Sequence, residues 1–155
     1  MTSESDEMQV NYFVLCDQVI TEAQTHKQSL IGVYSALMGE QFPLMANLAV
    51  GIGVRVQSAR RREMTLRLSG PDNEMIFASP PLPCAWESVE GGLRASGFAT
   101  LQIGLNLRAV PFQRAGVYTA ALFCDGSLLA TYPISVLQAQ PGQPGQSLPP
   151  APGVG

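Results

Sequence analysis

The residues of this chain whose chemistry suits metal binding are three cysteines and a single histidine. Cys16 and Cys124 each precede an aspartate, while Cys84 and His26 stand apart from them. A Cys₃His zinc site usually includes two cysteines separated by about two to four residues on one loop, and the sequence has no such pair. We therefore expect no metal and no other cofactor, and thiols that are reduced and largely buried. A Cys16–Cys124 disulfide linking two strands is the alternative.

His26 is also the one histidine that could serve as a catalytic acid or base. It lies in the polar stretch 23–28, and neither a nucleophile elbow nor a Ser/Asp spacing accompanies it. The sequence also lacks glycine-rich phosphate loops, the HExxH zinc motif and the EF-hand spacing. We interpret His26 as a solvated turn residue and expect that the protein is not an enzyme.

The one cluster of charge consists of Arg60, Arg61 and Arg62. The net charge of the whole chain is −3, and Lys27 is its only lysine. Nucleic-acid binding usually relies on a basic surface with aromatic side chains among the basic ones, and this cluster contains none. We expect a solvated hairpin tip and no nucleic-acid partner. A contact with a phosphate, a nucleic acid or an acidic protein patch is the alternative.

Alternation of apolar and polar residues is the dominant pattern along the chain, and it predicts β-strands. Between 98 and 109, one face carries Leu101, Ile103, Leu105 and Leu107, and polar side chains occupy most of the other. This pattern is typical of an antiparallel sheet that buries one face. The predicted strands span residues 8–16, 30–38, 48–56, 63–69, 75–78, 98–109, 118–124 and 128–136. The runs 8–16 and 30–38 are apolar on both faces, as expected for buried strands in the middle of a sandwich.

Turn residues indicate how the strands connect. Asp125 and Gly126 lie between two alternating runs, which is a strong signal for a hairpin. Pro133 cannot donate to a strand ladder, so we expect the last strand to lie at an edge or to turn this position toward solvent. A short helical turn is predicted at 87–95.

The start of the penultimate strand points to a particular kind of sandwich. Gly116 and Tyr118 resemble the tyrosine corner of immunoglobulin-like domains, in which the ring hydroxyl bonds to backbone a few residues upstream, here around 111–113. We therefore predict an all-β fold, an immunoglobulin-like antiparallel β-sandwich of about seven to eight strands. Gly116, Tyr118, Asp125 and Gly126 are expected to have structural roles.

Three glycines lie opposite the apolar stripes of predicted strands. Gly51, Gly53 and Gly104 leave that face without side chains, and glycine weakens a strand. Either the strands bulge or twist at these positions, or the glycines form a face on which another molecule packs closely.

The two ends of the chain differ in composition from the middle. Residues 1–7 are acidic and do not form a secretory signal, and no apolar run is long enough to cross a membrane. Residues 138–155 are rich in proline and glycine and carry no charge, which predicts a disordered tail. Its two PxxP patterns, at 141–144 and 149–152, have no flanking arginine or lysine, which favours a linker over a docking motif. We expect a folded domain at 8–137 and a cytoplasmic location.

Scattered motifs between residues 8 and 137 resemble a known family. An apolar strand ends in Cys16 and Asp17, and a polar connector precedes the run Ser-Leu-Ile-Gly-Val-Tyr at 29–34. A proline with an aromatic residue, a Gly-x-Tyr and an Asp-Gly follow near the end, at 111–126. This arrangement is similar to a family of short, uncharacterised bacterial proteins with a domain of unknown function. The resemblance implies the β-sandwich fold and a bacterial origin, and it implies no activity.

These observations favour a non-catalytic protein-interaction or scaffold module of a bacterial cytoplasm. The partner would be another protein or a second copy, bound at the strand beside the one that contains Pro133 or on the glycine-lined face. The alternative is a sandwich that binds a small ligand or a carbohydrate. It would need aromatic side chains on a concave face, and the chain has only one tryptophan and four tyrosines.

Overall fold

Nine strands, a 3-10 turn and one α-helix make up residues 8–140, the part of the chain that this computed structural model describes. The strands are β1 (Met8–Thr21), β2 (Gln28–Val33), β3 (Ala36–Gly39), β4 (Leu44–Val56), β5 (Met64–Ser69), β6 (Met75–Ala78), β7 (Ala99–Phe112), β8 (Gly116–Cys124) and β9 (Ser127–Gln138). The 3-10 turn (Trp86–Ser88) and the helix α1 (Val89–Ser96) lie where the sequence predicts a helical turn.

The strands form two sheets that pack face to face. The first sheet has the order β2-β1-β4-β7, and the second has the order β3-β9-β8-β5-β6. All neighbouring strands are antiparallel except β3 and β9, which are parallel. The prediction of an immunoglobulin-like antiparallel sandwich is confirmed, with nine strands in place of seven or eight.

Apolar residues at alternate positions of both sheets form one core. Val50, Ile52 and Val54 of β4 are fully buried, and they belong to the same cluster as Leu66 of β5 and Leu122 of β8. Burying one such side chain contributes about 1.5–3 kcal/mol. The alternation of apolar and polar residues therefore correctly predicts which face of each strand points into the core.

The run 30–38, predicted as one strand, is divided between the two sheets. β2 ends in the first sheet, and β3 begins in the second. Tyr34 lies in the segment that passes from the first sheet to the second. Its N–H donates to the Leu15 carbonyl of β1 at 2.9 Å, and its carbonyl accepts from the Tyr132 hydroxyl of β9, so this segment is hydrogen-bonded to both sheets. The prediction was also wrong about position, because β2 is an edge strand and not a central one.

The end of the β1–β2 hairpin folds over the outer face of the first sheet. Leu30 of β2 packs on Gly51 of β4, where an added Cβ would lie 2.4 Å from the leucine Cδ2. Val19 of β1 packs on Gly104 of β7, where the corresponding distance would be 3.2 Å. Each pair of strands is two places apart in the sheet, so the hairpin must curl across the face to make these contacts. The glycine-lined face, which includes Gly53 beneath a tyrosine ring of β1, is thus largely covered by the chain itself.

The ordered domain extends past the predicted boundary at 137. β9 continues to Gln138, and Ala139 is buried with its N–H donating to the Gly39 carbonyl at 2.9 Å. The remainder of the predicted tail, from 141 onward, and the predicted disordered segment 1–7 lie outside the described residues.

Pro133 lies opposite Thr119 of β8. β3 pairs with β9 only at Ser135–Gln138, so within residues 8–140 the other side of β9 has no strand neighbour at Pro133. This arrangement accounts for a proline inside a strand. The neighbouring strand β8 is paired on both sides, with β9 and β5, so it does not offer the edge that we expected a partner to use.

Candidate functional site

Tyr118 lies fully buried near the start of β8. Its ring packs edge-on against Phe112 with the centroids 4.9 Å apart, and its hydroxyl donates to the Arg114 carbonyl at 2.8 Å. The partner is Arg114 and not a residue of 111–113, since β7 continues to Phe112 and the connecting loop begins only after it. Gly116 has a φ of +147°, and a Cβ there would lie 2.5 Å from Cγ of Pro71. The Tyr118 hydroxyl is thus occupied and out of contact with solvent, which agrees with the structural role that we expect for this corner.

Asp125 and Gly126 form the turn between β8 and β9. Their φ angles are +48° and +85°, as a type I′ turn requires. The Asp125 carboxylate also accepts the Glu63 N–H at 2.9 Å and lies 3.9 Å from the Arg60 guanidinium. Asp125 therefore holds the loop that leads into β5, a second role that its position in a turn does not reveal.

The three cysteines and His26 lie in separate parts of the structure. Within residues 8–140, no three Cys, His, Asp or Glu side chains form a group that could hold a metal ion, and no disulfide is formed. Burial raises the pKa of the Cys16 thiol, which lies 3.5 Å from the Gln18 carbonyl oxygen. The Cys124 sulfur packs 3.5 Å from that of Met8.

The arginine cluster is not a uniform solvated tip. Arg62 is only 5 % exposed, its guanidinium lies 5.7 Å from the centre of the Trp86 ring, and its Nη1 donates to the Arg60 carbonyl at 3.2 Å. Arg60 faces Asp125, as described above, and Arg61 is exposed. The expectation of three solvated arginines is wrong for Arg62, because its side chain packs on the one tryptophan of the chain.

We call β2 together with Ile20 the hairpin edge. Within residues 8–140, β2 pairs only with β1, and the register places Ile20 opposite Ser29 and Gln18 opposite Ile31. Ile20 and Ile31 therefore share the face of the hairpin that points away from the glycines. Ile20, Ile31 and Val33 are 40 %, 46 % and 53 % exposed. Sequence reasoning missed this surface because it treated the run as a buried strand.

A second candidate site is a surface depression at the point where the register between β4 and β7 becomes irregular. Asp17, Asn47, Asn106 and Arg108 line a depression of about 410 Å³, with Leu48 and Leu107 completing the lining; we call it the bulge depression. All four polar residues are exposed. They are isolated in the sequence, and no motif connects them, so sequence reasoning did not single them out.

A backbone irregularity shapes this depression. The register shifts between Ala46 and Leu48 of β4, and Ala109 of β7 adopts a φ of +54°. Such a conformation costs a residue other than glycine of order 1–3 kcal/mol. The Ala109 N–H donates to the Asn47 Oδ1 at 2.9 Å, which stabilises the bulge and orients the amide. Bulges of this kind redirect side chains and are common beside functional sites.

Tyr34 connects the hairpin edge to the bulge depression. Its hydroxyl donates to the Asp17 carboxylate. Burial, the hydrogen bond to Asp17 and the negative charge of that carboxylate together raise the pKa of Tyr34 to about 12. Tyr34 therefore stays protonated at neutral pH and fixes the position of the Asp17 side chain.

Two proteins from Pseudomonas species are among the solved structures to which this structure is similar. The alkylpurine DNA glycosylase AlkC from Pseudomonas fluorescens, bound to DNA containing an abasic-site analogue, aligns with 86 % of this chain at a TM-score of 0.49 and 7 % identity. This chain spans 31 % of that protein's length. An immunoglobulin-like protein from Pseudomonas aeruginosa aligns over 86 % of this chain and 99 % of its own, at a TM-score of 0.39 and 11 % identity. No curated protein matches the sequence.

The described residues contain no helix that is both long and apolar enough to cross a membrane.

A family model matches nearly the whole sandwich, from residue 11 to residue 137. The match includes the hairpin, the bulge depression and the tyrosine corner. The chain thus belongs to the family of unknown function DUF6941.

Proposed function

We propose that this protein is a non-catalytic protein-interaction module of a bacterial cytoplasm, and that its hairpin edge receives an extended segment of another protein. The observation that carries the proposal is the open, uncharged edge of β2. Sheet edges in soluble proteins are usually protected by charged residues, proline or a covering segment. β2, with the sequence Gln-Ser-Leu-Ile-Gly-Val, contains no charged residue and no proline.

The side chains beside this edge add apolar contact area. Ile20, Ile31 and Val33 are all about half exposed. An added strand would gain backbone hydrogen bonds along residues 28–31 of β2, before Gly32 leaves the extended conformation with a φ of +69°. It would also gain apolar contacts with these side chains, which is how proteins bind peptides by β-augmentation. The mode favours a partner segment with apolar residues at every second position.

The opposite face of the hairpin holds the edge in place. Leu30 and Val19 pack on Gly51 and Gly104, so the hairpin rests on the sheet. A rigid edge loses little conformational entropy when a partner binds. The buried Cys16 thiol suits a reducing compartment, in keeping with the cytoplasm.

Site-specific photo-cross-linking in the organism that encodes the protein tests this proposal. A photoreactive amino acid replaces Ile31 in one variant and Leu128, which is 56 % exposed on β9, in the control. We expect position 31 to form an adduct with a different protein and position 128 to form none with that protein. Adducts only between two copies of this chain, equal adducts at both positions, or no adduct at position 31 would contradict the proposal.

A further inference from the structure

The bulge depression contains two opposite charges that do not pair with each other. Asp17 and Arg108 both line it, yet no ion pair joins them, and Arg108 has no ion pair to any other described residue. Asp17 belongs to β1 and Arg108 to β7, with β4 between them, so their backbones are about 10 Å apart. The depression lies between these two side chains.

Two amides lie in the same depression as the charges. Asn47 uses its Oδ1 to accept the Ala109 N–H at 2.9 Å, so its NH₂ group remains able to donate. Asn106 lies on β7 in register with Ala49 of β4, on the outer face of the sheet. The depression therefore offers a negative group, a positive group and hydrogen-bonding amides within about 410 Å³, a volume typical of small-molecule sites.

We propose that the bulge depression binds a small zwitterion that carries both an ammonium and a carboxylate group. The Asp17 carboxylate accepts hydrogen bonds from the ammonium, and the Arg108 guanidinium donates to the ligand carboxylate, a pairing with favourable geometry. Asn47 and Asn106 bind the polar atoms between the two charges. Tyr34 keeps the Asp17 carboxylate in position through its hydroxyl. A free amino acid and a short peptide share this chemistry.

Isothermal titration calorimetry of the full-length protein tests whether the depression binds such a ligand. The probes are glycine and triglycine, which separate the two sources, with N-acetylglycine and glycinamide as analogues that each lack one charge. We expect saturable binding of glycine or triglycine, and at least about tenfold weaker binding of both analogues, because each analogue leaves either Asp17 or Arg108 without its charged partner. No saturable binding of either zwitterion, or equal binding of the analogues, would overturn the proposal.

Matched variants locate the binding. Asp17→Asn and Arg108→Gln should each weaken binding at least about tenfold, since each removes one charge from the contact. Glu22→Gln and Arg61→Gln make the same changes at exposed positions outside the depression and should leave binding unchanged. Thermal melting confirms that each variant is folded. Retained affinity in Arg108→Gln would contradict the proposed site. Ile31→Lys should bind the zwitterion normally, which separates this result from the proposed function.

Discussion

The Tyr118 hydroxyl connects the core to the loop between β7 and β8. It bonds to both backbone groups of Arg114, whose guanidinium in turn contacts Asp72 at 2.6 Å and Glu74 at 2.9 Å. A single buried hydroxyl thus supports the backbone beneath a surface ion-pair network. Exposed ion pairs contribute little to stability. We therefore expect most of the stabilisation to come from the buried Tyr118 hydroxyl and its hydrogen bonds to the Arg114 backbone.

Removing this hydroxyl should destabilise the domain without altering its fold. Tyr118→Phe leaves the Arg114 backbone groups without their partner and should lower the free energy of unfolding by about 1–3 kcal/mol. Tyr118→Ala also creates a cavity and should lower it by about 3–5 kcal/mol. Chemical denaturation of both variants measures the two losses. Equal stability of wild type and Tyr118→Phe would show that the corner is not a structural anchor.

Tyr34 should make stability depend on alkaline pH. Its pKa is about 12 in the folded protein, against an ordinary value of 10.0, so the folded state holds the proton more tightly. Its contribution is therefore fully present below about pH 10 and is lost as the pH rises toward 12. Denaturation across this range should show a smaller loss of stability in Tyr34→Phe than in the wild type. Identical pH profiles would argue against the Tyr34–Asp17 hydrogen bond.

At the level of elements, the β1–β2 hairpin depends on the absence of side chains beneath it. A Cβ on Gly53 would lie 2.2 Å from the ring of Tyr12, whose hydroxyl donates to the Gln28 side chain at the start of β2. Gly53→Ala should therefore displace the hairpin and speed hydrogen exchange of the β2 amides. Gly91→Ala is the matched control, because nothing lies within 4 Å of its added Cβ and alanine favours a helix. Unchanged exchange in Gly53→Ala would show that the hairpin does not rest on this glycine.

The same hairpin shows where sequence reasoning stops. Alternation identified β7 and β5 because each has one buried face and one polar face. The run 30–38 is apolar at most positions. Its sequence pattern does not distinguish a central strand, buried on both faces, from an edge strand in which one side chain packs on a glycine and the next is exposed to solvent. The bulge depression was beyond prediction because its four polar residues come together only through the register of three strands.

For the molecule as a whole, the boundary of the domain can be tested by truncation. A chain ending at Gln140 should melt within a few degrees of the full-length protein, because the composition of 141–155 does not favour burial. A chain ending at Gln138 also loses the buried Ala139 and its bond to Gly39, and it should melt at a lower temperature. A large decrease for the first truncation would show that the tail contributes to the fold.

The hairpin edge is the surface through which we propose that this protein contacts another protein. Quantitative capture from cells, with wild type, Ile31→Lys and Leu128→Lys as baits, tests that claim most directly. A lysine at position 31 places a charge on the open edge, which opposes strand addition. We predict that wild type and Leu128→Lys recover the same partner equally, and that Ile31→Lys recovers at least about tenfold less, a difference of about 1.4 kcal/mol in binding. Equal recovery by all three folded baits would contradict the account.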